Sequence, residues 1–323
     1  MKKIPNMRAN DRMVNDAYAF LNKELEKVDS KVLEPLSSTL WPRDMPVKTG
    51  GGFVENVSTI DVTYASTGNE ENSLIFNETN DIPVIQADYG KTVNKVFNWA
   101  QYLNIPYINK EKFKNIALNV EDALNKGLHL LFDKFCDKNV FTGFVKVGST
   151  GLMNNAGITR VTAPAHTSGG TDTDWASKTA DEILADINGA LTAVWADNDM
   201  ADDALPNHIL VPPVQYGALV SRKVGVTGDK SILTYIKENN IVNQQGKELV
   251  ISPNKYCVGA GSGGTDRMVV YINAEDRIRY QQTAPLRRLS TEVRDLSFRT
   301  PYVAQISEVE FLYPTTVRYV DGI

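Results

Sequence analysis

The chain has 323 residues, 42% hydrophobic and 23% charged, with a formal net charge of −5. That length buries a sizeable core, and the composition excludes the disordered and fibrous classes. The acidic balance excludes a protein that coats nucleic acid stoichiometrically, because phosphate neutralisation needs Lys and Arg in excess.

Residues 1–40 read as a polar, mixed-charge arm. Val14, Ala17, Tyr18, Leu21 and Leu25 fall at helical spacing, which predicts a short amphipathic helix. The segment ends near Pro35 and Trp41-Pro42, where a helix does not continue easily. Met1-Lys2-Lys3 is followed by no apolar run, so no signal peptide is expected. No stretch approaches the roughly 18 apolar residues of a membrane span.

Residues 41–108 look extended. Gly50-Gly51-Gly52 reads as a flexible hinge before a strand. Ile60, Val62 and Tyr64 then alternate with Thr59, Asp61 and Thr63, the period of a strand with one apolar face. A polar tip follows from Ser66 to Ser73, and the chain returns through Ile82-Pro83-Val84-Ile85 and Val93 to Trp99. This predicts a long β-hairpin. Such a hairpin is marginally stable alone, so it must lie on its own domain or on a neighbour.

Residues 109–138 give the clearest helix. Phe113, Ile116, Ala117, Val120, Leu124, Leu128, Leu131 and Phe135 recur at steps of three and four on one face. Asn109 is placed to cap the start, with Glu111 in the first turn. At about 1.5 Å per residue the rod spans some 40 Å, long for a globular domain.

Residues 140–282 alternate helix and strand. Thr179-Ala180-Asp181-Glu182 is a capping box opening a helix that buries Ile183, Leu184, Ile187, Ala190, Leu191, Val194 and Trp195. His208–Val211 reads as a short buried strand, and Pro212-Pro213 starts a helix through Tyr216 and Leu219. Ser231 caps a further helix, and Glu248–Ile251 and Met268–Tyr271 read as strands. Residues 283–323 return to strands, with Val309, Phe311 and Tyr313 alternating with Glu308 and Glu310, and Val317 and Tyr319 continuing the pattern.

Patterns that could carry chemistry fail on context. Gly259-Ala260-Gly261-Ser262-Gly263-Gly264 fits G-x-G-x-x-G by letter, but it leads into a strand and not the helix N-terminus a pyrophosphate needs. His129, His166 and His208 have no nucleophile or second His at a recognisable spacing. Asp197-Asn198-Asp199 opens like a calcium loop, but Ala201, Asp202 and His208 occupy its third-ligand, Gly and Glu positions. Cys136 and Cys257 lie outside any metal or redox spacing and read as reduced, packed thiols. Arg277-Ile278-Arg279-Tyr280 and Arg287-Arg288 interleave basic and apolar residues. In an acidic chain they read as surface or inter-subunit ion pairs, not a nucleic-acid platform. No catalytic residue, cofactor or metal is expected.

Arm, extended β-loop, long helix, α/β domain and returning strands, in that order, resemble the tailed-bacteriophage major capsid proteins of the Hong Kong 97 type. Asp81-Ile82-Pro83-Val84 and Gly151-Leu152-Met153-Asn154-Asn155 resemble that family's returning strand and the junction after its spine helix. The helix beginning near Thr179 is similar to the family's first axial-domain helix, and Leu210–Leu219 resembles its strand-then-"P-x-x-Y-x-x-L" element. Pro314–Ile323 resembles the C-terminal strand. Glu308-Val309-Glu310 departs from the Gly-containing turn of relatives.

The resemblance covers residues 40–323 and implies an α+β fold. Its parts would be an N-terminal arm (1–40), an extended β-hairpin loop (41–108), a peripheral domain (109–139 with 283–323) and an axial α/β domain (140–282). It implies a shell subunit forming hexamers and pentamers of an icosahedral or prolate virion, with the loop on an adjacent copy. Ser66, Thr67, Gly68, Asn69, Glu70, Glu71 and Asn72 at the tip, with Arg277, Arg279, Arg287 and Arg288, are the candidate inter-subunit contacts. It also implies assembly in the host cytoplasm around packaged double-stranded DNA contacted non-specifically. The arm has no room for a scaffold-like domain, so a separate scaffolding protein is expected, with a portal and a possible decoration protein. An encapsulin-type compartment shares the fold and is the nearest alternative. A soluble nucleotide-binding α/β enzyme is the distant one.

Overall fold

The computed structural model describes residues 39–67, 83–114, 120–167, 170–225 and 229–323. The expected arm helix and most of the hairpin tip lie outside them. The helices are α1 (Trp41–Asp44), α2 (Tyr107–Lys114), α3 (Val120–Phe141), α4 (Ala180–Ala196), α5 (Pro213–Ser221), α6 (Ile232–Asn239) and α7 (Ile241–Gln244). The strands are β1 (Val47–Thr49), β2 (Asn56–Ser66), β3 (Ile85–Pro106), β4 (Thr159–Thr162), β5 (His208–Val211), β6 (Val250–Pro253), β7 (Arg267–Tyr271), β8 (Ile278–Gln282), β9 (Ala284–Arg288), β10 (Glu292–Arg294), β11 (Ser297–Ser307), β12 (Val309–Phe311) and β13 (Val317–Asp321).

Three sheets result. One has the order β1-β8-β12, the second β10-β11-β3-β2 with β9 also on β11, and the third β4-β13-β7-β5-β6. The backbone of β3 spans 22 residues, about 70 Å at the usual rise per residue.

The predicted rod is found as α2 and α3, with residues 115–119 outside the described set. Its start differs from the expectation. Helix begins directly after β3 at Tyr107, so Asn109 lies inside the first turn and not at a cap. The Tyr107 N–H donates to Leu296 O (2.8 Å), which fixes the strand-to-helix turn from outside the helix. Helix α3 also runs three residues past the expected end, to Phe141.

The junction after α3 shows why its residues are what they are. A Cβ on Gly151 would lie 2.4 Å from the Phe141 carbonyl carbon, so only glycine permits the close return of the chain. The Leu152 and Met153 N–H groups then donate to Val140 O (2.7 Å) and Phe141 O (2.9 Å), and both side chains are buried. Asn154 accepts from Gly151 N at 2.7 Å and donates to Thr142 O at 2.8 Å.

Local signals further on are met. Thr179 and Glu182 form the reciprocal capping box, and Ile183, Ile187, Ala190, Leu191 and Val194 are buried, with Leu184 and Trp195 partly so. Pro213 occupies the first turn of α5, and Ser231 caps α6 by accepting from Thr234 N. Strand β5 is buried along its length. The Gly259 loop leads into β7, as its context implied.

The chain's tail joins two sheets. Strand β11 pairs with β3 beside α3, but β13 runs between β7 (antiparallel) and β4 (parallel) in the sheet that also holds β5 and β6. Residues 317–321 therefore complete the sheet that holds β5, β6 and β7. A buried ion pair holds them there. Arg267 Nε donates to Asp321 Oδ1 (2.6 Å) and Nη2 to Oδ2 (2.8 Å), with both side chains almost fully buried. The same guanidinium bonds Met153 O and stacks 4.3 Å from the Tyr319 ring. Tyr319 in turn donates to Leu152 O at 2.7 Å and accepts from Asn155 N at 3.2 Å. Last strand and helix exit are thus tied into one core.

Burial alone raises the Asp321 carboxyl pKa; hydrogen bonds from Arg267 and Ser262 and the Arg267 charge bring it net below the ordinary value. A depressed carboxylate stabilises the fold above its unfolded pKa of about 3.9, and that stabilisation is lost as pH falls through the lower folded value. Arg267→Met, which strands the carboxylate, is expected to cost about 3–5 kcal/mol at pH 7 in urea unfolding. The gap to the wild type should shrink below about pH 4, where the variant's carboxyl is neutral. A gap independent of pH would show that the pair is not the cause.

Candidate assembly surfaces

Strands β2 and β3 pair antiparallel over eleven residues, from Asn56↔Lys95 to Ser66↔Ile85. Alternation puts Ile60, Val62, Tyr64, Ile85, Tyr89 and Val93 on one face of this ribbon. All six are exposed, with Ile60 at 69%, Tyr64 at 74%, Ile85 at 74% and Tyr89 at 71%. The other face is polar: Thr59, Asp61 and Thr63 oppose Thr92, Gly90 and Asp88, and the Thr92 hydroxyl donates to Asp61 at 2.9 Å. Lys91 and Lys95 share the apolar face. The alternation seen in the sequence is therefore real, but the six apolar residues on the face it defines stay exposed.

Helix α3 adds a second uncovered surface. Leu128, Phe132, Cys136 and Val140 are buried, with Trp99 of β3 edge-on to Phe132 at 5.1 Å. Leu124 and Leu131, expected on the same buried face, are 41% and 50% exposed. At about 100° per residue both lie roughly 40–60° to one side of Leu128. The apolar stripe is thus wider than the layer packed on it, and one flank is open.

The sequence-predicted contact residues do not gather in one place. Ser66 and Thr67 stand at the outer end of the ribbon, where Thr67 accepts from Val84 N at 2.9 Å, and residues 68–72 lie outside the described set. Arg277 bonds Asp203 and stacks on Tyr313 at 4.8 Å. Arg279 pairs with Glu310 at 2.7 Å. Arg287 lies over the Phe53 ring at 4.6 Å, and Arg288 pairs with Glu121 at 2.8 Å. Each of the four arginines has a partner within the chain.

Sequence reading missed several buried polar groups. Glu310, which alternates with Val309 and Phe311 in the sequence, is 1% exposed, and Arg279 and Gln281 Nε2 both donate to it. Lys178 and Asp186 form another buried pair, with Trp175 Nε1 also donating to Asp186 at 3.0 Å. Burial holds the Asp186 carboxyl above its ordinary value despite Lys178. Asp137 accepts from Leu40 N at 2.7 Å and Trp41 N at 2.8 Å, fixing the start of α1 on α3. No local spacing announces such pairs, since their members lie far apart in the chain or on different elements.

His208 is buried against Tyr271 at 5.3 Å, and burial lowers its pKa. His129 lies edge-on to Tyr302, and His166 sits 3.6 Å from Glu182. Asp203 pairs with Arg277 and Asp197 with Arg318. Among the described residues no group of His, Cys, Asp and Glu is arranged to hold a metal, and no helix is long and apolar enough to cross a membrane.

A family model described as major capsid protein matches residues 71–323. Among solved structures, the capsid of Myoviridae phage XM1 matches with a TM-score of 0.75 at 15% identity, over 93% of this chain and 98% of that one. The structure of Microbacterium phage Oxtober96 matches with a TM-score of 0.62 at 11% identity, over 97% and 99%. The capsid of cyanophage P-SCSP1u gives 0.54 at 13%, over 93% and 93%. No curated protein matches the sequence. At these identities the likeness is one of fold, and that fold is the Hong Kong 97 type.

Both cysteines are fully buried, and burial pushes the Cys136 thiol up to about 12 and the Cys257 thiol higher still. Since the thiolate is the reactive form, neither is expected to react with a disulfide reagent at pH 8 in the folded chain. Both should titrate in denaturant. Stoichiometric labelling of either in the native protein would show that the core around α3 is open.

Proposed function

This chain belongs to the major capsid protein family, and from that premise we propose that it closes into hexamers and pentamers by laying its β2–β3 ribbon on the next copy. The observation that carries this reading is the wholly exposed apolar face of the ribbon. Fully burying one large apolar side chain yields about 1.5–3 kcal/mol, so six of them offer on the order of 10 kcal/mol gross per copy. Ordering and association take back much of that. A head-to-tail contact of this kind uses two different surfaces and closes into a ring when its rotation permits. Each copy is then both giver and receiver, and many modest contacts make a persistent shell.

The shell is the head of a tailed phage, and its contents are double-stranded DNA. The chain's acidic balance suits a wall that meets DNA without sequence preference. Assembly takes place in the host cytoplasm with a separate scaffolding protein and a portal, and a decoration protein can add to the outer surface. Residues 66–72 are among the chain's contacts with the neighbour.

Negative-stain microscopy of the purified protein, with and without co-expressed scaffold, should show rings or closed particles. Purified particles should carry double-stranded DNA; a protein cargo in its place would overturn the phage reading. Ile60→Asp and Tyr89→Asp should each lower particle yield about tenfold or more through lost apolar burial, with circular dichroism and melting of the subunit unchanged. Wild-type protein that stays monomeric throughout, or variants that assemble normally, would overturn the proposal.

A further inference from the structure

Strand β3 is never paired on both edges. Residues 96–106 pair with β11 and residues 85–95 pair with β2, so the changeover falls between Lys95 and Val96. There the ribbon joins the body through one continuous strand. Its second leg enters as a strap, residues 50–55. The strap starts with Gly50, Gly51 and Gly52 at φ +120°, +110° and +73°, a left-handed run that side chains resist and that has open space around it. Glu308 clamps the changeover, donating its N–H to Lys95 O and accepting from Lys95 N, so the glycine strap is the softer of the ribbon's two legs.

One side chain closes this weak point. Gln305 of β11 is 4% exposed, and its amide is fully used. Oε1 accepts from Val54 N at 2.8 Å and from the Thr283 hydroxyl at 2.9 Å. Nε2 donates to Val54 O and to Asn98 Oδ1, both at 2.8 Å. The amide thus grips both backbone groups of one strap residue, as a strand neighbour would, and ties them to β3 through Asn98. Gly50 N and Gly52 N donate to Gln282 O and Thr283 O at 3.0 Å, so the strap is held just before the grip as well.

We propose that Gln305 is a positioning residue for assembly: its amide latches the strap at Val54 and so sets the angle at which the ribbon presents its apolar face. The assembly consequence rests on the docking proposed above, whereas the latch itself concerns the single chain. A buried residue of β11, remote from the ribbon's apolar surface, thereby governs how that surface meets the next copy.

The test reads ribbon angle and assembly separately. Spin labels at Thr63→Cys on the ribbon and Ala196→Cys at the end of α4 label selectively, because both native thiols are buried. In the unassembled full-length chain the wild-type background should give a narrow distance distribution. Gln305→Leu, which keeps bulk and removes the amide, should broaden it about twofold or more and cut particle yield about tenfold. Asn98→Ala, which removes one partner of the amide, should broaden it less and remains informative where the leucine variant fails to fold. Leu152→Ala, destabilising but remote from the strap, should leave it narrow; equal broadening there would mean that stability, not the latch, sets the angle. An unchanged distribution in both Gln305→Leu and Asn98→Ala would overturn the latch. Normal assembly by the Ile60→Asp variant would overturn the docking reading and leave the latch standing.

Discussion

The architecture hangs on one strand whose two halves live in different surroundings. The C-terminal half of β3 has β11 on its edge and the long helix on its face, where Trp99 meets Phe132. Its N-terminal half has β2 on its edge, and Lys95 at its base is held by Glu308. Each half is paired along one edge, so the strand keeps its form. Side-chain burial differs between them. The half inside the body stabilises the fold, and the half outside keeps its apolar face in reserve. That asymmetry lets one chain fold as a unit and still offer a large surface to a second copy.

Charge is buried where elements must be held in one arrangement. Arg267 with Asp321 sets the last strand against β7, Arg279 with Glu310 joins β8 to β12, and Lys178 with Asp186 pins the segment before α4 onto that helix. Such pairs give little net stability, since desolvation opposes the attraction. Their effect is on choice. A strand shifted by one residue would leave a buried charge without its partner, at a cost of several kcal/mol. Arg267 also holds the tail in the α/β sheet: its guanidinium meets Asp321, the Tyr319 ring and Met153 O together.

What could be read from the sequence was what local spacing records. The capping box at Thr179, the proline start of α5 and the alternation along β2 are decided within a few residues, and each stands where it was expected. The extent of burial was not legible in the same way. Periodicity put Leu124 and Leu131 on an apolar face, but it could not say how wide a neighbour would cover that face. The burial of Glu310 could not be read either, because alternation is blind to a distant arginine. The departure at Glu308-Val309-Glu310 has a structural use: Glu308 accepts from Lys95 N at 3.1 Å and donates its own N–H to Lys95 O at 3.2 Å, beside the changeover in β3. Gln305 carried no signal, since a glutamine in a strand looks like any other polar residue until its partners are seen.

An exposed apolar ribbon invites indiscriminate stacking, and the ribbon's composition works against that. Lys91 and Lys95 stand among the apolar residues of the face. Two ribbons pressed face to face would bury these ammonium groups without counter-charges, a penalty that offsets much of the apolar gain. A neighbour that leaves room or acidic groups at those positions escapes the penalty. Lysines on exposed strands are a recurrent device against edge-to-edge association for the same reason. Specificity here comes from repulsion of the wrong partner as much as attraction to the right one. The apolar residues supply the drive to associate, and the two lysines narrow the set of surfaces on which that drive can be satisfied.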